Sequence, residues 1–252
     1  MIVPCKSLWP PAGDPIEAIL HWGWLSGALG AEPSLPRPFL IALRGVEPYA
    51  SETHDLKHAP RYDDCFIFYA HGKPTQVFNG ATHAYQRDSR LSPDVDGDGR
   101  GDVGSIRPGR YLLTDLRAGE EVIFHITNPD GTDRLPAWRD YDHDGQLSVE
   151  EMQRSESARK GAQVGSSGTW ASSILLHGGV DSPPGAKHRF SIGCFTAPVA
   201  VRAHLAVAAK PYGGKIDLVL MNAWDLIPLA EERARKFTTI EEPFPLPPEN
   251  NS

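Results

Sequence analysis

The sequence has few cysteines, no long apolar run and no basic segment near its start. Its three cysteines, Cys5, Cys65 and Cys194, are too few and too scattered for a disulfide framework or a zinc site. No run of about 18 apolar residues is present to span a membrane. Because the N-terminus lacks a charged region followed by an apolar core, we expect no Sec signal peptide.

Basic residues are also not clustered. The formal charge is -7, and the Lys and Arg side chains form no stripe along the chain. Since phosphate binding needs clustered basic groups, we expect no nucleic-acid partner. Much of the acidity lies instead in two Asp-rich segments, a pattern typical of cation sites.

The composition predicts a mainly β fold. With 40% apolar residues the chain can bury a core, and its 24 Gly and 23 Pro indicate many turns. Short apolar runs predict strands. These runs cover residues 39–43, 65–69, 75–78, 106–113, 121–126, 173–176 and 216–221.

Helices are expected to be few. A capping box at residues 14–17 predicts a short N-terminal helix, and a second charged helix is expected at 230–236. The predicted organisation has an N-terminal helix and linker, a catalytic domain, two calcium-loop insertions within it, and a flexible tail. These parts correspond to residues 1–38, 39–240, 88–107 with 130–165, and 241–252.

The second Asp-rich segment, residues 140–151, matches the EF-hand calcium loop. Acids occupy positions 1, 3 and 5, Gly145 occupies position 6, and a glutamate occupies position 12. Ca²⁺ prefers six to eight oxygen ligands, which this alternation supplies. The predicted ligands are Asp140, Asp142, Asp144, Gln146 and Glu151, with a helix following at 148–159. The alternative is a solvated acidic turn.

The first Asp-rich segment, residues 94–105, repeats half of that pattern but has Ser105 in place of the glutamate. It resembles a degenerate calcium loop, and its glycines do not favour an exiting helix. Its predicted ligands are Asp94, Asp96, Asp98, Arg100 and Asp102. Bound Ca²⁺ would hold both insertions, couple metal binding to folding, and indicate a site of action outside the cytosol.

A histidine and a cysteine form a candidate catalytic pair. His177 ends an apolar run and is followed by Gly178. Cys194 is preceded by Gly193 and lies 17 positions after His177. The imidazole could lower the thiol pKa or accept its proton, and the backbone N–H groups near Gly193 could stabilise an oxyanion. Alternatively, each residue is structural, as single Cys and His residues usually are.

The order of the pair is informative, because papain-like peptidases place the cysteine first. The sequence resembles the L,D-transpeptidase catalytic domain, whose signature is His-Gly, a variable loop and then Ser-His-Gly-Cys. The matching segments are 177–178 and 191–194. The hairpin at 66–78 and the turn at 107–111 are also similar to that family, so the resemblance covers about residues 39–200.

That resemblance implies a β-sandwich or barrel and a peptidoglycan stem peptide as substrate. The acyl-enzyme on Cys194 would be released to water or to an amine, with His177 as base. Ile192 stands where the family has His, Lys or Arg, so either His188 or Arg189 would take that role or the choice of substrate would differ. The implied catalytic set is Cys194, His177, Gly193, Ser191, Gly178 and His188.

The expected location is the periplasm or cell envelope, or delivery outside the cell as an effector or lysis factor. A secretion machinery or an immunity protein would then be a partner. Two alternatives stay open. One is a cysteine peptidoglycan amidase or endopeptidase, and the other is a non-catalytic calcium-binding envelope protein.

Overall fold

The computed structural model describes separate stretches of the chain. They are residues 37–44, 64–70, 73–82, 90–117, 121–144, 147–161, 169–178, 193–222 and 225. The predicted N-terminal helix, the predicted helix at 230–236 and the predicted tail lie outside these stretches.

The described part of the chain is mainly β, as the composition predicts. The strands are β1 Phe39–Arg44, β2 Asp64–Ala70, β3 Lys73–Gly80, β4 Gly104–Ile106, β5 Gly109–Asp115, β6 Phe124–Thr127, β7 Leu135–Arg139, β8 Trp170–Ala171, β9 Leu175–His177, β10 Phe195–Thr196 and β11 Lys215–Asn222. The helices are α1 Val149–Gly161 and α2 Val199–Ala209, and a 3-10 turn follows at Lys210–Tyr212. Each strand predicted from the sequence overlaps one of these strands. Neither helix is long and apolar enough to cross a membrane.

Eight strands form one sheet in the order β10-β9-β6-β5-β11-β1-β2-β3. The β1–β11 and β9–β10 pairs are parallel, and the other pairs are antiparallel. The sheet curls until its two edges meet, because Ala81 just after β3 bridges to Thr196 in β10. Ala81 N donates to Thr196 O at 3.0 Å, and Thr196 N donates to Ala81 O at 2.9 Å. The sheet is therefore closed at this point, as in a barrel.

The apolar core fills the inside of the curled sheet. Its largest members are aromatic, including Phe66, Phe68, Phe124 and Phe195. All six residues of β1 are buried, so this central strand is covered on both faces. That double burial explains why its sequence is a continuous apolar run rather than an alternation of apolar and polar residues.

A second sheet, ordered β4-β7-β8, takes β4 and β7 from the predicted insertions and β8 from the chain just after them, and it contributes to the same core through Ile106 and Ala137. Helix α1 packs on β7: Trp138 Nε1 donates to Glu156 Oε1 at 2.9 Å, and Arg139 N donates to Ser155 Oγ at 3.0 Å. Because β4 and β7 are antiparallel, the segment before β4 and the segment after β7 leave from the same end. Those two segments are the Asp-rich loops.

A buried polar network holds the chain next to the barrel closure. Arg44, fully buried at the end of β1, donates to Thr82 Oγ1 at 2.9 Å, to Thr82 O at 3.0 Å and to Ile106 O at 3.1 Å. Asp64 Oδ2 accepts from Thr82 N at 2.8 Å and from Thr82 Oγ1 at 2.6 Å. Burial lowers the pKa of Arg44 to about 10, and the charge of Asp64 opposes that shift. Thr82 follows the bridging Ala81, so the network fixes the closing strand.

We predict that Arg44→Leu lowers the free energy of unfolding by about 3–5 kcal/mol, because it leaves the buried Asp64 carboxylate without its counter-charge. Adding Asp64→Asn should recover part of that loss. The control is Arg37→Leu, whose ion pair with Asp217 at 2.9 Å is partly exposed and should cost less than about 1 kcal/mol. Urea unfolding measures all three variants, and equal losses for Arg44→Leu and Arg37→Leu would contradict the assignment.

Candidate functional site

The candidate nucleophile and base lie on neighbouring parallel strands. The register pairs Phe195 with Leu176 and Thr196 with His177, and Cys194 directly precedes β10. Leu176 and Phe195 both belong to the core, so strand alternation puts the flanking His177 and Cys194 on the opposite face. Neighbouring strands lie about 4.8 Å apart and rise about 3.3 Å per residue, so residues offset by two places are about 8 Å apart, a gap that a cysteine and a histidine side chain together can span. Both side chains are partly exposed.

The hydrogen bonding of His177 fixes its tautomer. Its Nδ1 lies 2.8 Å from the carbonyl oxygen of Gly178. A carbonyl oxygen can only accept a hydrogen bond, so Nδ1 carries the proton in the neutral ring. Nε2 then keeps its lone pair, as a base requires. The Gly178 carbonyl therefore orients the base in the way that a carboxylate does in a catalytic triad.

The environment of Cys194 keeps its thiol protonated. Burial raises the pKa of the Cys194 thiol, and a hydrogen bond from the backbone N–H of Leu175 opposes that rise only in part. The sequence left open whether His177 lowers the thiol pKa or takes its proton. A raised pKa favours the second role, since the thiolate must then form as the substrate is attacked.

Both glycines of the motif lie where other groups approach closely. A Cβ at Gly193, where φ is +128°, would lie 2.5 Å from the carbonyl oxygen of Gly104. A Cβ at Gly178 would lie 2.7 Å from Nη2 of Arg202. The two glycines therefore mark where neighbouring elements pack against the candidate pair: β4 packs against Gly193, and α2 packs against Gly178.

Arg202 is a site residue that the sequence did not reveal. This buried side chain of α2 donates through Nε to Ala197 O at 3.1 Å, and through Nη1 to Val122 O and to Glu121 Oε1, the latter at 3.3 Å. Ala197 N in turn donates to His177 O at 3.1 Å. Arg202 thus holds the chain around Gly178, whose carbonyl sets the tautomer of His177. Two members of the implied catalytic set, Ser191 and His188, lie outside the described residues.

The first Asp-rich loop gathers three carboxylates. One oxygen each of Asp94, Asp96 and Asp102 lies within 4.8 Å of the others. Asp102 is fully buried, and its Oδ2 accepts from Val95 N at 2.6 Å. Its Oδ1 accepts no hydrogen bond from the residues that the structure describes. Burial raises the pKa of Asp102, with the neighbouring acids Asp96 and Asp94 adding to the rise. A bound cation would give this buried carboxylate oxygen the partner that it lacks among the described hydrogen-bond donors.

The second Asp-rich loop gathers Asp140, Asp142 and Asp144, again within 4.8 Å. Glu151, predicted as the bidentate ligand, has its oxygens on the backbone: Oε1 accepts from Tyr141 N at 2.6 Å and Oε2 from Ser148 N at 2.8 Å. Glu151 N donates to Ser148 Oγ at 3.2 Å, which completes a capping box for α1. The predicted helix is confirmed. The ligand role of Glu151 stays a prediction, and Gln146 lies outside the described residues.

The two loops contact each other, and we call residues 94–105 and 140–151 together the acidic loop pair. His143 Nε2 lies 3.3 Å from Asp98 Oδ2 and 3.6 Å from Asp102 Oδ1. Arg154 lies over the Tyr141 ring at 3.9 Å, and its Nη1 is 3.6 Å from Asp96 Oδ2. The gathered donors are carboxylate oxygens, which suit a hard cation such as Ca²⁺ better than a soft one.

No known protein family, curated protein or solved structure matches the chain.

We predict that Asp102→Asn stabilises the protein in EGTA and weakens its response to calcium. A carboxyl whose folded pKa is raised contributes stability at low pH that is lost as the pH rises through that pKa. At neutral pH an uncharged amide removes the cost, and Tm should rise by about 2–4 °C for each kcal/mol recovered. In the wild type, Ca²⁺ at about 100 times its Kd should add about 2.7 kcal/mol.

Thermal unfolding in EGTA and in CaCl₂ measures both effects. The control is Asp130→Asn, an exposed carboxylate in the turn between β6 and β7, which should leave the calcium response unchanged. If Asp102→Asn destabilised the protein in EGTA and kept the full calcium response, Asp102 would be a structural residue only.

Proposed function

We propose that this protein is a cysteine acyl-transfer enzyme that acts on peptidoglycan stem peptides, of the L,D-transpeptidase or L,D-carboxypeptidase type. The observation that carries the proposal is the placement of His177 and Cys194 on one face of β9 and β10, with the His177 Nδ1 proton held by the Gly178 carbonyl. That arrangement supplies a thiol and a base in the correct tautomer, and the paired strands β9 and β10 hold the two side chains next to each other.

The reaction follows from these two side chains. Nε2 of His177 takes the thiol proton as Sγ of Cys194 attacks the peptide carbonyl carbon, and the oxygen of that carbonyl becomes an oxyanion. When the intermediate collapses, the C–N bond breaks and the imidazolium gives its proton to the leaving amine. The resulting thioester is then attacked by water or by an amine, from which His177 removes a proton. Sulfur finally leaves as a thiol.

The substrate class rests on the resemblance of residues 177–178 and 191–194 to the L,D-transpeptidase signature. Water as acceptor would give a carboxypeptidase or endopeptidase, and an amine would give a transpeptidase. Ile192 replaces a polar family residue, so the choice of acceptor depends on residues other than a second histidine of that motif.

Calcium and location belong to the same proposal. The acidic loop pair offers two groups of three carboxylates, one of which includes the fully buried Asp102, and these groups would hold Ca²⁺. Because calcium is abundant outside the cytosol, the proposed site of action is the periplasm or envelope, reached by export or by injection into another cell. The other candidate is a calcium-binding envelope protein without catalysis, which the raised pKa of the Cys194 thiol would fit.

We predict that Cys194→Ala abolishes processing of purified peptidoglycan and that His177→Gln slows it by about 10²–10⁴-fold, the usual contribution of a general base. Mass spectrometry of the muropeptides measures both variants. Processing at the L,D bond should convert tetrapeptide stems into tripeptide stems or new cross-links.

The matched controls are Cys65→Ala, a thiol buried in β2, and His204→Gln, an exposed imidazole on α2. Both should keep wild-type rates if they stay folded. Release of glycan strands free of peptide would establish an amidase instead. Full activity in Cys194→Ala would end the proposal.

A further inference from the structure

Gly193, the residue before the candidate nucleophile, lies against the acidic loop pair. Gly193 approaches Gly104 so closely that a Cβ would lie 2.5 Å from the Gly104 carbonyl oxygen. Its other near neighbour is Ile174 Cδ1, at 3.7 Å from the same Cβ position. With φ at +128°, Gly193 adopts a backbone that other residues rarely reach. The position of Cys194 therefore depends on where the Gly104 carbonyl lies.

Gly104 is the point at which the two loops meet. It begins β4, two residues after the buried Asp102, and it pairs with Arg139, the residue before Asp140. Arg139 Nη1 donates to Asp102 O at 2.9 Å, and Asp140 N donates to Val103 O at 3.1 Å. Displacing either loop would therefore displace the peptide unit that contacts Gly193.

The position of the loops should depend on a cation. Asp94 and Asp96 bring negative charge to within 4.8 Å of Asp102, which is fully buried and has one oxygen without a hydrogen bond from the described residues. Like charges at this separation repel, and the cost is greatest at Asp102, because it is buried whereas Asp94 and Asp96 are exposed. His143 Nε2, 3.6 Å from Asp102 Oδ1, and Arg154 Nη1, 3.6 Å from Asp96 Oδ2, offset part of that repulsion. A bound Ca²⁺ reverses the sign of the interaction and draws the three carboxylates together.

We propose that Ca²⁺ in the acidic loop pair regulates the candidate active site: it fixes the Gly104 carbonyl against Gly193, and so sets Cys194 in register with His177. The effect on catalysis rests on the proposed function, whereas the effect on the backbone does not. Calcium at the concentrations found outside the cytosol would hold the nucleophile in place. Chelation would release β4 and, with it, the segment that carries Cys194.

Hydrogen exchange followed by mass spectrometry tests the coupling on the full chain, in CaCl₂ and in EGTA. Calcium should slow exchange several-fold at residues 102–107 and also at 193–198. Residues 215–222, in the central strand β11, should not respond and serve as the control for global unfolding. The double variant Asp94→Asn with Asp96→Asn should lose both effects, and Asp130→Asn should keep both. Turnover of muropeptides should rise in CaCl₂ for the wild type and not for the double variant.

The outcomes separate this inference from the proposed function. If calcium protects 102–107 and leaves 193–198 unchanged, or protects neither segment, the coupling is wrong. The proposed function still stands in that case if muropeptides are processed, at the same rate with and without calcium. If both segments are protected and muropeptides are never processed, the coupling stands and the proposed function fails. Loss of protection at 215–222 in the double variant identifies a folding defect, and the single Asp102→Asn variant then replaces it in the same comparison.

Discussion

The two-residue strand β10 is the constraint on which the rest of the structure depends. Thr196 pairs with His177 on one side and bridges to Ala81 on the other. One short strand therefore closes the sheet and places the candidate nucleophile beside the candidate base. So short a strand has few hydrogen bonds of its own, and its position must come from its neighbours. The Gly193–Gly104 approach and the α2 helix provide that support.

Buried arginines provide much of that support. Three of them donate hydrogen bonds to backbone carbonyls at or near the ends of strands: Arg44 to Ile106, Arg139 to Asp102, and Arg202 to Ala197. Arg44 and Arg139 are 0% and 4% exposed, so each guanidinium has lost most of its hydration, and this burial lowers the pKa of both to about 10. A guanidinium carries five N–H donors in a fixed plane, so one side chain can join several segments. Arg202 does so beside His177, and Arg139 does so between the Asp-rich loops.

The sequence predicted features that depend on local pattern. β1 is an apolar run up to its last residue, β11 is an apolar run interrupted by Asp217, and α1 follows the capping box of Ser148 and Glu151. Helix α2 was not predicted, although Pro198 before it and Gly213 after it are start and stop signals around an Ala-rich run. Strand β7 was missed because it is short and contains Pro136, which reads as a break. The insertions at 88–107 and 130–165 were expected to be calcium loops with one helix, and they also contain β4 and β7 of the three-stranded sheet.

The candidate site divides in the same way. His177, Cys194 and their glycines are visible as a spaced motif, but the reasons for the glycines are distant in sequence, at Gly104 and Arg202. The contact of His143 with Asp98 and Asp102, which joins the Asp-rich loops, is equally distant. No local sequence pattern predicts these long-range contacts, because they depend on how β4 and β7 pair and on how α2 packs. A motif can therefore name the reacting groups without naming what positions them.

The proposed function requires Cys194 to form a covalent acyl-enzyme. The most direct measurement is mass spectrometry of the protein after incubation with a disaccharide tetrapeptide and an acid quench. The account predicts a peptide containing Cys194 that carries the substrate less its terminal residue, formed far more slowly in His177→Gln. No adduct under conditions in which the substrate is consumed, or an adduct on another residue, would contradict it.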